Sequence, residues 1–356
     1  MSEVNALVEI SKYAGERFDL VQAGGGNSSV KFDNGEMIIK ASGFLLSDVN
    51  ENSGYSRVQT NEIVQIVKNQ NIIGEEDKRK RESLTSQLVK DATIDKINRP
   101  SIETLLHSFL YKYTLHTHPI VVNMLTVKKD WKDVLKAIFS SEDIAFVSYK
   151  TPGIELALEL DSELSNFNTI PNIIFLQNHG LIVTSTHKNE IYEKTEYILE
   201  NIEKFLKVDL NNYKTTNKIT YLLNTIQKSN NISYLSEDIY LNEQLVKNKN
   251  LFLSTPFCPD SLVYCGISSV IIDDIFDIQS IEKYKIKYYE LPKIIIFENK
   301  LYFIAQNIKK AKEMEDVFKF HIMVLVQNKQ NSINLLDTEE LAYLSNWEAE
   351  KFRQKL

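Results

Sequence analysis

Apolar positions recur at helical spacing in some stretches of the chain and alternate with polar ones in others. Residues 1 to about 22 read as a leading helix. Gly24-Gly25-Gly26-Asn27 ends it, and Ser29-Val30-Lys31-Phe32, Asp33-Asn34-Gly35-Glu36 and Met37-Ile38-Ile39-Lys40 follow. Asn-Gly between two strand-like runs predicts a hairpin. Glu75 to Glu82 is a solvated charge run, either a loop or an exposed helix face. Pro100 opens a predicted helix through Ile102, Leu105, Leu106, Phe109 and Leu110. Residues 113–122 and 172–184 predict strands, the second broken by Asn178-His179-Gly180. Residues 191–206 predict an amphipathic helix, with Ile191, Thr195, Ile198, Leu199, Ile202 and Phe205 on one stripe.

From residue 208 to about 250 the chain is rich in Asn, Lys, Thr and Ser and its periodicity weakens. The expected organisation is therefore a catalytic domain over 1–210, a polar linker region over 211–250 and a smaller α/β module over 251–356. In that module, 293–297 and 301–305 flank Glu298-Asn299-Lys300 as a hairpin. Two helices follow, the second begun by Asp337 with Glu340 three residues on, a capping-box spacing.

Composition narrows the function classes. The 356 residues are 43% hydrophobic and 25% charged, which excludes disorder and fibrous repeats. The formal net charge is −7, against the clustered positive field that general nucleic-acid binding needs, so no nucleic-acid partner is expected. The longest apolar runs fall far short of the ~20 residues of a membrane span. Met-Ser-Glu-Val-Asn at the start carries no basic segment followed by an apolar one. Cys258 and Cys265 cannot build a disulfide framework or a structural zinc site. The expectation is a soluble cytoplasmic protein with reduced thiols and no membrane partner.

Two constellations carry chemistry. The glycine run has neither the spacing nor the following helix of a dinucleotide fingerprint, and no Walker pattern occurs. What remains is a plain glycine turn or a loop whose bare amides cradle an anion, with Ser42-Gly43 joining it from the end of the hairpin. The second constellation is more specific. His116 and His118, two apart on a strand, share a face, and His179 sits at the break in a later strand. Three neutral imidazoles with an open fourth position form the usual catalytic zinc site. Glu103 precedes the first pair, and His107, one helical turn on, either approaches the site or packs in the core. His187 and His321 stand alone and read as structural.

Taken in order, Ala23-Gly24-Gly25-Gly26-Asn27-Ser28-Ser29-Val30-Lys31, Ala41-Ser42-Gly43, Pro100-Ser101-Ile102-Glu103, His116-Thr117-His118-Pro119 and Asn178-His179-Gly180 resemble the class II aldolase/adducin family. The chain is most similar to the aldolase portion of rhamnulose-phosphate aldolase/alcohol dehydrogenase-type proteins. The run Tyr149 to Ala157, Cys258-Pro259-Asp260 and the tail Trp347-Glu348-Ala349-Glu350-Lys351 fit that branch. The resemblance implies an α/β/α sandwich with a central, largely antiparallel sheet, plus the smaller C-terminal α/β module.

It implies zinc, or another divalent metal, on His116, His118 and His179, with Glu103 as the acid/base. It implies a substrate phosphate on Gly26, Asn27, Ser42, Gly43 and Ser101, with Lys31 or Lys40 available to add charge. The implied activity is a zinc-dependent lyase cleaving a phosphorylated ketose or related anion through a metal-stabilised enediolate. The same family contains epimerases, decarboxylases of sugar-acid phosphates and adducin-like scaffolds with dead sites. A small phosphorylated sugar and a homo-oligomer are the implied partners.

Overall fold

The computed structural model describes residues 2–329 and 333–346. The tail motif at 347–351 lies outside them. The chain divides into two compact units, Met1–Leu210 and Asn211–Leu356.

The first unit is an α/β/α sandwich on a seven-stranded sheet. Its strands are β1 (Asn27–Lys31), β2 (Glu36–Lys40), β3 (Tyr55–Gln59), β4 (Tyr113–Thr117), β5 (Ile144–Val147), β6 (Ile173–Leu176) and β7 (Gly180–Ser185). The spatial order is β3-β2-β1-β4-β7-β6-β5. Every pair is antiparallel except β5 with β6. Alternation along the strands feeds two cores. Val30, Ile38, Leu115, Phe146, Phe175, Leu181 and Val183 face one, packed by the helices Glu3–Gly15 and Lys188–Leu206. Met37, Val58, Ala145, Val147, Ile174 and Ile182 face the other, under the helices Thr60–Val67 and Ile154–Leu164. The hairpin expected at Asn34-Gly35 is the β1–β2 pair, and the strand break expected at Asn178-His179-Gly180 is the turn of a second hairpin, the β6–β7 pair.

Three local expectations change. The strand predicted over 113–122 stops at Thr117, because Pro119 carries no donor to extend the ladder, and a helix Ile120–Thr126 follows it. The helix predicted from Pro100 is confined to Thr104–Ser108. Pro100 instead bridges Ala41, and the Ser101 hydroxyl accepts from the Glu103 amide (3.2 Å), so 100–103 forms a turn. Phe205 leaves the stripe of its helix and is 52% exposed, whereas Ile191, Thr195, Ile198, Leu199 and Ile202 are buried as expected. The charge run at 75–82 leads into an exposed helix, Lys78–Asp91, with Thr85 and Val89 as its buried residues.

The second unit corrects the linker expected over 211–250. That segment folds into a helix Asn211–Ile226, a strand β8 (Ile232–Leu235) and a helix Ile239–Lys247. Its composition hides a sparse apolar stripe of Ile219, Leu222 and Leu223, flanked by buried hydroxyls that serve their own helix: Thr215 donates to the Asn211 carbonyl (2.9 Å) and Thr216 to that of Tyr213 (2.6 Å). With β9 (Val270–Ile271), β10 (Ile294–Phe297) and β11 (Lys300–Ala305), β8 builds a four-stranded sheet in the order β8-β11-β10-β9. The β10–β11 turn holds Glu298 and Asn299 at φ of 49° and 57°, the twist that suits a two-residue hairpin. Asp337 caps the last described helix by accepting from the Glu340 amide (2.8 Å). No helix among the described residues is long and apolar enough to cross a membrane.

The stripe on Lys188–Leu206 is testable. Leu199→Ala removes a fully packed side chain and should cost about 2–5 kcal/mol, while Phe205→Ala should stay within about 0.5 kcal/mol. Urea midpoints of the two variants measure the contrast.

Candidate functional site

The centre of the sheet sets the site. β4 pairs with β1 so that His116 lies opposite Asn27, and with β7 so that Thr117 lies opposite Leu181. The β6–β7 turn therefore comes up beside the end of β4, where His118 follows. Asn178 in that turn takes a left-handed φ of 53°, and Asn123 of the helix Ile120–Thr126 donates to the His179 carbonyl (3.1 Å). A Cβ on Gly180 would stand 2.1 Å from the Thr117 carbonyl oxygen, so the turn can lie this close only with glycine there.

The three histidines from two distant segments thus meet. Their candidate ligand atoms all lie within 4.8 Å of one another. His116 is fully buried, and its Nδ1 donates to the Leu181 carbonyl (3.1 Å), which leaves its Nε2 with a free lone pair. That Nε2 faces the Nε2 of His118 at 3.1 Å. Two lone pairs so placed repel unless a proton or a cation lies against them. Burial pushes His116 well below its ordinary pKa and His118 down to about 4, so both rings are neutral at physiological pH, the form that ligates metal. Gly25 packs against the His118 ring: a Cβ there would stand 2.8 Å from Nδ1. The donor set, its protonation and its open side fit a divalent ion of the zinc type.

Glu103 joins this cluster. Its Oε1 lies 3.5 Å from the Nε2 of His116 and 3.3 Å from that of His179. Its Oε2 accepts from the side-chain amide of Asn27. Burial opposes the charge on Glu103, but His116 and His179 outweigh it and hold the carboxyl well below the usual carboxylate range. Asn27 is therefore committed to the acid as well as to the glycine loop, a link that sequence spacing does not reveal. Its Oδ1 is buried with no donor among the described residues.

The remaining candidates separate. Ser42 and Gly43 are exposed at the end of β2, and the Ser42 amide donates to the Arg99 carbonyl (2.8 Å), which ties that loop to the turn holding Ser101. Lys40 donates to the Gly24 carbonyl (3.1 Å), which ties the same strand end to the glycine run beside Gly26. Burial lowers the Lys40 ammonium, while Glu103 and Asp48 pull it back up. Lys31 does not reach the loop. It sits four residues along β1, ~13 Å away, and donates to the Leu110 carbonyl. His107 is fully buried, bonds the Ser29 hydroxyl through Nδ1 (2.7 Å) and is pushed down to about 4 by burial. His187 is exposed, and His321 is buried in the second unit against Phe257. Asn123 and Gly25 support the histidines without any sequence signal beyond the glycine run.

A mixed, mostly antiparallel sandwich carrying a histidine triad and a carboxylate at its centre defines a fold with a candidate metal site between two helical layers. The chain belongs to the class II aldolase and adducin family: the model of that family's N-terminal domain matches residues 5–206. It is similar to a Bacillus subtilis (strain 168) protein named uncharacterized oxidoreductase YuxG, with 26% identity over 220 residues that make up 59% of this chain. The matched region is 30% of that relative, so the chain spans about a third of its length. Among solved structures it is similar to the N-terminal class II aldolase domain of a Thermoplasma acidophilum protein, with 25% identity, a TM-score of 0.49 and coverage of 58% of this chain and 94% of that one. L-fuculose-1-phosphate aldolase from Thermus thermophilus matches with 15% identity, a TM-score of 0.38 and coverage of 58% and 94%.

The cluster generates a metal prediction. Substituting alanine for His116, His118 or His179 should remove most of the bound zinc from protein loaded with it, whereas His187→Ala and His321→Ala should leave it. Gly25→Ala, whose Cβ would press on the His118 ring and on the Gln22 carbonyl, should weaken affinity roughly 10- to 100-fold. Equilibrium dialysis with elemental analysis reads all six. Metal content indifferent to His179 would remove the triad from consideration.

Proposed function

We propose that this protein is a metal-dependent carbon–carbon lyase, an aldolase for a phosphorylated ketose or a related anionic sugar derivative. The observation that carries the reading is Glu103, fixed by Asn27 against two of three clustered histidines. A family alone does not give a reaction, since one fold hosts several. This arrangement retains every group that the chemistry needs.

His116, His118 and His179 would hold a divalent ion. Such an ion, when bound, supplies Lewis-acid polarisation to the substrate's oxygens. Glu103 handles the proton at carbon. In the condensation direction its carboxylate takes the proton from the carbon beside the ketone. In cleavage the hydroxyl that becomes the aldehyde gives up its proton as the carbon–carbon bond breaks, and Glu103, protonated by it, delivers a proton to the enediolate carbon. Asn27 holds the carboxylate in one orientation, so its contribution falls on turnover as well as binding. The Gly24–Gly26 run, Ser42-Gly43 and Ser101 present amides and hydroxyls to the phosphate, and the Lys40 ammonium lies among them. A homo-oligomer belongs to the same proposal.

The oxidoreductase name of the Bacillus relative does not carry over. Here the glycine run leads into the β1–β2 hairpin and not into a helix.

The test is a screen of phosphorylated ketoses with zinc-loaded protein, read by release of a three-carbon ketone phosphate. Glu103→Gln should retain zinc and lose turnover by ~10²-fold or more, together with exchange of the product's α-proton into deuterated water. Exchange that persists at the wild-type rate in this variant would remove Glu103 from the acid/base role. Ser42→Ala should raise KM with little change in kcat, and Asn27→Ala should lower kcat as well. Turnover without release of a ketone phosphate, with inversion at carbon or loss of carbon dioxide instead, would reassign the same site to an epimerase or a decarboxylase.

A further inference from the structure

The helix Lys78–Asp91 and the residues after it enclose a cleft of 890 Å³ that the proposed chemistry does not use. That volume is of the size that takes a small organic ligand. Its far wall is Thr151-Pro152, part of the run from Tyr149 to Ala157 that the proposed reaction leaves without a role. Its floor is apolar, formed by Val89, Pro100 and Leu105 with Ile97 and Ile102, which are 81% and 55% exposed. Ser101, the residue placed in the anion cradle, also lines the cleft and is the one lining residue that the proposed chemistry uses.

The charge around this floor is one-sided. Arg79, Lys90, Lys96 and Arg99 line the cleft, and Glu82 is the one acid lining it. Several nearby acids are engaged in holding the helix, whereas Asp95, beside Lys96, has a buried Oδ1 with no hydrogen-bond partner among the described residues. Glu82 accepts from the Ile154 amide (3.2 Å), Glu75 pairs with Lys80 (2.6 Å), Asp77 caps the Lys80 amide (3.0 Å) and Asp91 accepts from Gln87 (2.9 Å). Glu155 is occupied by Lys78 and Arg81. The side chains of Arg79, Lys90 and Lys96 have no ion pair or hydrogen bond among the described residues, and Arg99 reaches only the Ser86 hydroxyl (3.2 Å). In a chain of net charge −7, four cations at one apolar hollow with a single engaged acid form a local positive field.

We propose that this cleft binds an organic phosphate with an apolar body, the body lying on Ile97, Ile102 and Val89 and the phosphate held by cations of the set Arg79, Lys90, Lys96 and Arg99. Because Ser101 is common to cleft and anion cradle, and resting on the lyase reading above, the bound molecule is the far end of the substrate. The substrate is then longer than a simple ketose phosphate.

Titration calorimetry of the zinc-loaded full chain with 1-naphthyl phosphate, inorganic phosphate and 1-naphthol tests the chemistry. Naphthyl phosphate should bind at least tenfold more tightly than either fragment. The double variant Lys90→Glu/Lys96→Glu should lose at least tenfold of that affinity, and Arg79→Glu should weaken it in the same direction. His179→Ala should leave it intact, so failure of the metal reading does not mask the result. Equal binding of phosphate or of naphthol, no binding at all, or indifference to charge reversal would each overturn the proposal. Naphthyl phosphate should also compete with the ketose phosphate found in the screen, and binding without competition would overturn the assignment to the substrate.

Discussion

β4 is paired on both sides, and that double pairing is the constraint from which the site follows. Antiparallel register with β1 puts Asn27 across from His116, and register with β7 sends the β6–β7 turn back over the strand's end. The approach is closest at Gly180, where the Thr117 carbonyl occupies the space of any side chain. Because a strand's side chains have a period of two, a slip of one residue in either pairing would turn His116 out of the cluster and bring Leu115 or Thr117 in. The position of His116 is thus a property of the sheet's centre, where the backbone is most fully hydrogen-bonded, and His118 and His179 follow from it at the end of β4 and in the β6–β7 turn.

One face of β1 extends that order to the acid. Asn27, Ser29 and Lys31 alternate onto it, and they bond in turn to Glu103, His107 and the Leu110 carbonyl. The partners step by four and three residues, which is the rise of one short helix and its end against a strand. Each bond satisfies a polar group that burial would otherwise leave costly. The helix Thr104–Ser108 has five residues, too few to persist by its own hydrogen bonds. Its position is fixed by this row and by Leu105 and Leu106 in the core. His107 and Lys31, singled out as chemistry-bearing, hold Glu103's segment in place.

Much of this is legible in the residues. The H-x-H pair, the Asn-His-Gly break and the Asn-Gly hairpin are short-range patterns whose meaning is local geometry, so they transfer from sequence to structure directly. The convergence of His179 on the pair depends on strand order, which alternation cannot supply, and it comes from the family resemblance. Element length misleads where two periodicities overlap. Val121 and Val122 continue the apolar run of β4 but belong to a helix, because Pro119 ends the ladder. The 211–226 helix is hidden for the opposite reason. Its buried positions include Thr215 and Thr216, whose hydroxyls are satisfied by the preceding turn and so leave no apolar mark in the sequence.

Charge explains why the acid, the lysine and the three imidazoles occur together. Burial keeps His116 and His118 neutral, and before any ion arrives the Glu103 carboxylate and the Lys40 ammonium offset each other. The site in that state has little pull on an anion. On the proposed reading, a divalent ion on the histidines leaves about two uncompensated positive charges next to the glycine loop, and a sugar phosphate carries about −1.5 to −2 near neutral pH. Low polarity around the cluster strengthens that attraction relative to water. Anion affinity is then conditional on the metal, although no phosphate-loop residue need touch it. The same low polarity makes an unaccompanied ion costly to bury, so metal and anionic substrate stabilise one another. On that reading the coupling is reciprocal: each raises the affinity for the other by the same factor.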